Sequence, residues 1–323
     1  MPYGRTAVPL HDLGYRTWQG RLSPQWWRWW VIAQTGMRLA WRSRWLRRLL
    51  LVAWLPMMYV AIGFFVYEQL AAAPQTANVR DLAFMFIDEF PDAKELIKGL
   101  DQADPARARH WMWAWLLSTF FRYPQGVLMV LVVGLIAPPL IAQDVRSRAF
   151  LLYFSRPLAR REYILGKGAV VTGYLLMITT LPALVLYVLG LLLSPGLSVV
   201  LHTWDLPLRI LGASVVLIVP TTAMSLAFSS LTSESRYASF AWFAVWVLGW
   251  VAYVLLIASL PGSFMRERWT LISLYHTLGR VQNWVFGFET DAAGLMSAGA
   301  LLAGITVVSL LILFRRVSSP MRI

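Results

Sequence analysis

The chain has 323 residues, 58% of them hydrophobic and 14% charged, with a formal net charge of +13. A soluble domain carries about 25% charged residues, so this shortfall, together with several long apolar runs, indicates a polytopic membrane protein. There is no cysteine, which excludes a disulfide framework, a thiol nucleophile and a cysteine metal site.

The first 25 residues hold neither an apolar signal core nor a small-residue cleavage site, so the first span is expected to be the insertion signal. The stretch "PQWWRWWVIAQTGMRLAWRSRWLRR" follows, from Pro24 to Arg48. At 3.6 residues per turn, Trp26, Trp27, Trp30, Met37, Trp41 and Trp45 share one face, with Arg28, Arg38 and Arg42 on the adjoining one. Ser23 is the expected N-cap, with Pro24 in the first turn. Tryptophan at headgroup depth beside arginine describes a helix lying in the membrane interface. Trp26, Trp27, Trp30, Trp41, Trp45, Arg38 and Arg42 are therefore candidate membrane contacts.

Six segments are long and apolar enough to span: about 47–68, 121–143, 168–193, 209–231, 238–260 and 293–314. The connection 69–120 reads as one or two short helices around Pro91, carrying Asp88, Glu89, Asp92 and Glu95. No second cluster of His or acids stands beside them, so a solvated helix face is preferred to a metal site. Trp111, Trp113 and Trp115 are expected at the headgroups where the chain returns to the membrane. Pro138–Pro139 should kink span 2 or break its last turn. Spans 3 and 4 carry Thr179, Thr180, Ser225, Ser229 and Ser230, small hydroxyl residues suited to close packing and to satisfying backbone groups that proline frees. Between spans 5 and 6, Leu271, Leu274, Tyr275 and Leu278 follow i, i+3, i+4, i+7, the pattern of an external helix lying on, or dipping into, the outer leaflet.

The charge distribution orients the chain. An even number of spans puts both termini on one side, and that side holds 19 of the 29 Lys and Arg residues. Only Asp12, Asp144, Glu162 and Glu234 oppose them, which leaves +15 there and −2 on the other side. This is a positive-inside pattern with both termini cytoplasmic. It assigns the positive charge to orientation and lipid contact, and nucleic acid is not an expected partner.

Catalytic patterns are missing. The four histidines have no HExxH or paired spacing, and no GxSxG occurs. The nearest approach to a phosphate loop, "LGKG" at Leu165–Gly168, has Arg161 where a P-loop needs glycine and Gly168 where it needs Ser or Thr. The chain is not expected to bind a cofactor or metal, and any ATP and Mg²⁺ must sit on another subunit.

The connection between spans 2 and 3 is the most informative stretch: "IAQDVRSRAFLLYFSRPLARREYILGK", Ile141 to Lys167. It is strongly basic, yet Phe150, Leu152, Tyr153 and Phe154 sit together in it. A simple loop needs no such run, whereas a short helix that plugs into a groove on another protein does; the other reading is an interfacial loop held to anionic lipid by its arginines, with its apolar residues in the bilayer edge. Asp144 and Arg148 stand at i, i+4 and are placed to pair, and Pro157 stops the helix after Arg156.

The connection resembles that of the ABC-2 type permeases, the transmembrane subunits of ATP-driven exporters. The matching elements are Asp144, Arg146, the 149–154 run, Ser155–Arg156–Pro157, Arg161–Glu162–Tyr163 and Gly166–Lys167. One departure stands out: the family often has glycine where this chain has Arg148. The resemblance implies an all-α membrane protein of six transmembrane helices, forming one transmembrane domain over residues 1–323. It also implies an N-terminal interfacial helix, short external helices and a cytoplasmic coupling helix. The implied docking residues for an ABC ATPase subunit are Asp144, Arg146, Arg148, Phe150, Leu152, Tyr153, Phe154, Arg156, Arg160, Arg161 and Glu162. It further implies a second permease chain, identical or related, and a bacterial plasma membrane. In such an exporter the coupling helix would move on ATP-driven closure, and spans 2 and 5 would reshape a central path. A non-transporting membrane scaffold is the alternative. The apolar and hydroxyl residues of the spans permit lipid-like, peptide or drug-like cargo without selecting one.

Overall fold

Hydrocarbon offers no water to a polar backbone, so a spanning chain must satisfy its N–H and C=O groups internally. A computed structural model of the chain describes residues 27–72, 105–149, 158–196, 198–259 and 266–318. All the elements among these residues are helical. Six helices are long and apolar enough to cross a membrane: Arg44–Ala72, Ala106–Arg146, Arg160–Leu193, Val199–Leu231, Ser235–Ser259 and Ala292–Ser318. Each covers one expected span to within a residue, and they are numbered spans 1 to 6. The tail's Ser23, Pro24 and Trp26, the acidic segment around Pro91, and residues 150–157 lie outside the described residues.

Spans 2 and 4 form the interior. Their apolar stretches are 65% and 67% buried, against 11% for span 5 and 22% for span 6. One hydrophobic cluster, including Leu50, Val133, Ile141, Tyr163, Val170, Leu226 and Trp242, ties them to spans 1, 3 and 5. A second, including Phe64, Trp113, Phe120, Phe121, Leu186, Ile210 and Phe286, fills the end away from the arginine-rich connections.

Span 1 is two helices, Arg44–Val52 and Leu55–Ala72. The break falls just before Pro56, which has no N–H and whose ring would meet the carbonyl of the preceding turn. Span 2 is far longer than expected. It runs from Pro105 through a π-helical turn, Gln125–Met129, to Arg146. At 1.5 Å per residue its length is roughly 60 Å, about twice the hydrocarbon thickness. This changes the reading of its tryptophans, which were expected at the headgroups. Trp113 is 0% exposed. Its ring stacks edge-on with Phe64 at 5.6 Å and Tyr187 at 6.0 Å, and its indole N–H donates to Glu68 at 3.0 Å. The same Glu68 oxygen accepts from Arg109 at 3.1 Å. Trp113 is thus a core residue with a satisfied polar tip.

The far end is a layer of such pairs. His110 and Arg209 both bond Asp205, and Arg280 reaches Glu289 and Asp291. Helix α2 (Leu274–Phe286) starts one turn later than its periodicity suggested, because Leu271 belongs to a 3₁₀ turn, Thr270–Ile272. It buries Thr277, Leu278, Val281, Gln282 and Phe286, and Gln282 donates to the Ala213 carbonyl of span 4 at 3.2 Å. The helix is wedged among the spans. His276 on α2 stacks on Tyr253 with ring centres 3.7 Å apart. Burial, and then the nearby Arg122, push its pKa down to about 4, so it is neutral at physiological pH.

Pro138 and Pro139 do not end span 2. The hydroxyl of Ser229, from span 4, sits in the break. It accepts from the Ile141 N–H at 3.0 Å and the Ala142 N–H at 3.1 Å, and donates to the Pro138 carbonyl at 2.7 Å. A side chain from one span thereby completes the backbone of another, and the helix continues for two more turns. Span 5 grips the same helix: Trp242 donates to the Val130 carbonyl at 2.9 Å, and Ser239 to that of Gly134 at 3.3 Å. Ser229→Ala is expected to destabilise the protein by about 1–3 kcal/mol, the cost of stranding buried backbone groups. Ser230 bonds only its own helix, at the Ala227 carbonyl, so Ser230→Ala should change little. Thermal unfolding of the two variants in detergent checks the contrast.

Candidate functional site

The candidate site lies at the arginine-rich end, where the chain leaves span 2 and enters span 3. Span 2 ends at Arg146 in a tight turn: the Arg148 N–H donates to the Val145 carbonyl at 3.2 Å, and the Ala149 N–H to Asp144 at 3.0 Å. This pair of bonds closes a helix when the intervening residue is left-handed. Arg148 is that residue, with φ of 53°. Glycine is the residue that adopts this conformation without strain, which gives a physical reason for the glycine of the family pattern here. Arginine at 148 carries the strain of a Cβ in that conformation.

Asp144 pairs with Lys167 at 2.7 Å, not with Arg148 as its spacing suggested. The helix ends before Arg148 can face Asp144, and the turn directs it elsewhere. The same carboxylate oxygen accepts the Tyr163 hydroxyl at 2.7 Å, and the Lys167 ammonium lies 5.5 Å from the Tyr163 ring centre. Asp144 and Lys167 are only 14% and 12% exposed. An ion pair so shielded from water, with an added hydrogen bond, is costly to break on one side. It joins the end of span 2 to the start of span 3 and brackets the connection between them.

The other docking candidates divide into two groups. Glu162 is turned inward and accepts the Ala159 N–H at 2.9 Å, capping span 3. Arg146, Arg148, Arg160 and Arg161 are exposed. Arg146 makes an exposed contact with Glu234, from the short turn between spans 4 and 5, at 3.4 Å. Phe150, Leu152, Tyr153, Phe154 and Arg156 lie outside the described residues.

The N-terminal helix α1 (Arg28–Trp41) runs along the first half of span 3. A side-chain carbon on Gly166 would come within 2.8 Å of the Trp29 carbonyl, and one on Gly36 within 2.6 Å of Val170. Only glycine allows so close an approach. Gly166 meets Trp29 and Ile32, Gly36 meets Val170, and Gly173 meets Met37, so the two helices run in the same direction. Met37 lies at the edge of the tryptophan face that adjoins span 3. Trp27, Trp30, Trp41, Arg38 and Arg42 remain exposed. Trp45 belongs to the next helix, which Ser43 caps by accepting the Leu46 N–H at 3.3 Å. Lys167, Ser229, Ser43 and Glu234 were not picked out as site residues from the sequence. Ser229 carried a local signal as a span 4 hydroxyl suited to groups that proline frees, and Ser43 as a serine just ahead of a helical run.

Among the described residues, no group of three or more His, Cys, Asp or Glu could hold a metal ion. Six helices long and apolar enough to cross a membrane define a multi-pass membrane protein. The sequence pattern of the ABC-2 family transporter proteins matches residues 30–316. The chain belongs to that family of membrane permeases. No curated protein matches the chain.

Asp144→Ala should loosen the bracket and lower stability by about 1–3 kcal/mol, because it strands Lys167 and the Tyr163 hydroxyl. Arg148→Gly should raise it by about 1 kcal/mol by removing the left-handed Cβ. Opposite shifts in thermal midpoint for the two variants are the expected outcome.

Proposed function

We propose that the chain is the permease subunit of an ATP-driven exporter in a bacterial plasma membrane, with both termini in the cytoplasm. ATP and Mg²⁺ would be bound by a separate ABC ATPase subunit, and a second permease chain would complete the path. The observation that carries this reading is the bracketed connection between spans 2 and 3. Asp144 and Lys167 hold its base, and Arg146, Arg148, Arg160 and Arg161 face outward around it. Membership of the family over residues 30–316 supports the assignment to transport. The charge of +15 on one side and −2 on the other supports the orientation.

In this reading Phe150, Leu152, Tyr153 and Phe154 form the apolar face that enters a groove on the ATPase, with Arg146, Arg148, Arg156, Arg160 and Arg161 around its rim. Asp144 and Glu162 act from inside, as positioning residues. The exposed tryptophans of α1 face lipid headgroups, with Arg38 and Arg42 beside them. A push on the connection would reach span 2 through Asp144 and then the Ser229 hydroxyl at Pro138, next to the span 5 contacts.

Phe150→Asp and Tyr153→Asp test this. Wild-type protein purified from its native membrane should carry an ABC ATPase that both variants lose, while all three insert normally. Normal ATPase retention by both variants would sink the docking claim, and an ATPase absent from the wild type would sink the exporter reading.

A further inference from the structure

The arginine-rich end carries a second feature that docking leaves unused. Between α1 and span 3 lies an open groove of about 410 Å³, lined by Met37, Arg38, Trp41, Gly173, Tyr174 and Met177. That is within the size of ordinary ligand sites, roughly 300–1,000 Å³. Its walls are apolar. The Tyr174 hydroxyl, which could have offered a polar contact, is already used by the Met37 carbonyl at 2.9 Å. Arg38 is the one charge in the lining. It is exposed and makes no ion pair among the described residues. Arg42, one turn further along α1, is exposed as well and likewise makes no ion pair among them.

The depth of the groove narrows the choice of ligand. Gly173 and Met177 stand two to three turns beyond Lys167, the last charged residue on the way into span 3. At 1.5 Å per residue that is roughly 9–15 Å further along the helix, the zone between headgroups and acyl chains. A water-borne anion would leave the apolar floor uncovered. A neutral hydrocarbon would leave the guanidinium unmet. Trp41, exposed at the rim, is the side chain favoured at headgroup level. An anionic head on a hydrocarbon tail satisfies all three.

We propose that this groove binds an anionic phospholipid from the leaflet on the arginine-rich side, with one acyl chain along Met37, Gly173 and Met177. The phosphate sits over Arg38, whose planar guanidinium group suits two-point bonding to phosphate oxygens. The lipid then extends the contact between α1 and span 3 beyond the glycine-mediated approach at Gly36 and Gly166.

The test uses the full chain in detergent with dioleoyl phosphatidylglycerol or dioleoyl phosphatidylcholine, and counts retained lipid by native mass spectrometry. Wild type should retain phosphatidylglycerol in preference to phosphatidylcholine. The variant Arg38→Gln, altered only on the exposed side, should lower phosphatidylglycerol retention roughly five-fold and erase the preference. Met177→Trp, which fills the groove, should lower retention of both lipids. Equal retention of the two lipids by wild type would overturn the proposal. So would phosphatidylglycerol retention unchanged in the arginine variant, or unchanged in Met177→Trp.

Discussion

One hydroxyl group sustains the arginine-rich end of this protein. Two adjacent prolines in the middle of a membrane helix remove two donors and crowd the carbonyls before them, and hydrocarbon offers nothing to replace what is lost. The Ser229 hydroxyl of the neighbouring span enters there, accepting hydrogen bonds from two N–H groups and donating one to the Pro138 carbonyl. The last turns of span 2 therefore stay helical, and Asp144 arrives where Lys167 and Tyr163 can meet it. The bracket at the base of the connection depends on that arrival.

Charge is placed with the same economy. The described ion pairs stand at the two ends of the bundle: Asp144 with Lys167 at one, and Glu68 with Arg109 and Asp205 with Arg209 at the other. Between them the spans are joined by hydroxyl, amide and indole groups that satisfy backbone carbonyls, as Trp242 does for Val130 and Gln282 for Ala213. Neutral partners suit the depth at which a charge is most expensive. Span 2 passes through all three layers.

Much of this was legible in the sequence because hydrophobicity and length are local properties. The six spans, the basic connection and a role for the span 4 hydroxyls near proline all followed from runs of residues. Distances between elements did not. Trp113 looks like a headgroup anchor in one dimension, and only the 41-residue length of span 2 places it against Phe64 and Tyr187. Asp144 has Arg148 at helical spacing, yet the helix stops at Arg146 and the better partner lies across the bracket. In each case a partner distant in sequence overrode a local pattern.

On the proposed function, the bracket is a single body that carries movement from an ATPase into span 2. The chain has no cysteine of its own, so introduced cysteines can be spin-labelled selectively. Labels at Arg146→Cys and Arg161→Cys lie on the two sides of the bracket, and a second pair, Arg146→Cys and Arg316→Cys, relates it to span 6. Pulsed electron–electron resonance would measure both distances in the permease–ATPase complex, without nucleotide and trapped with ATP. The account expects the first distance to hold and the second to change. A first distance that changes as much as the second, or two distances that both stay fixed, would contradict it.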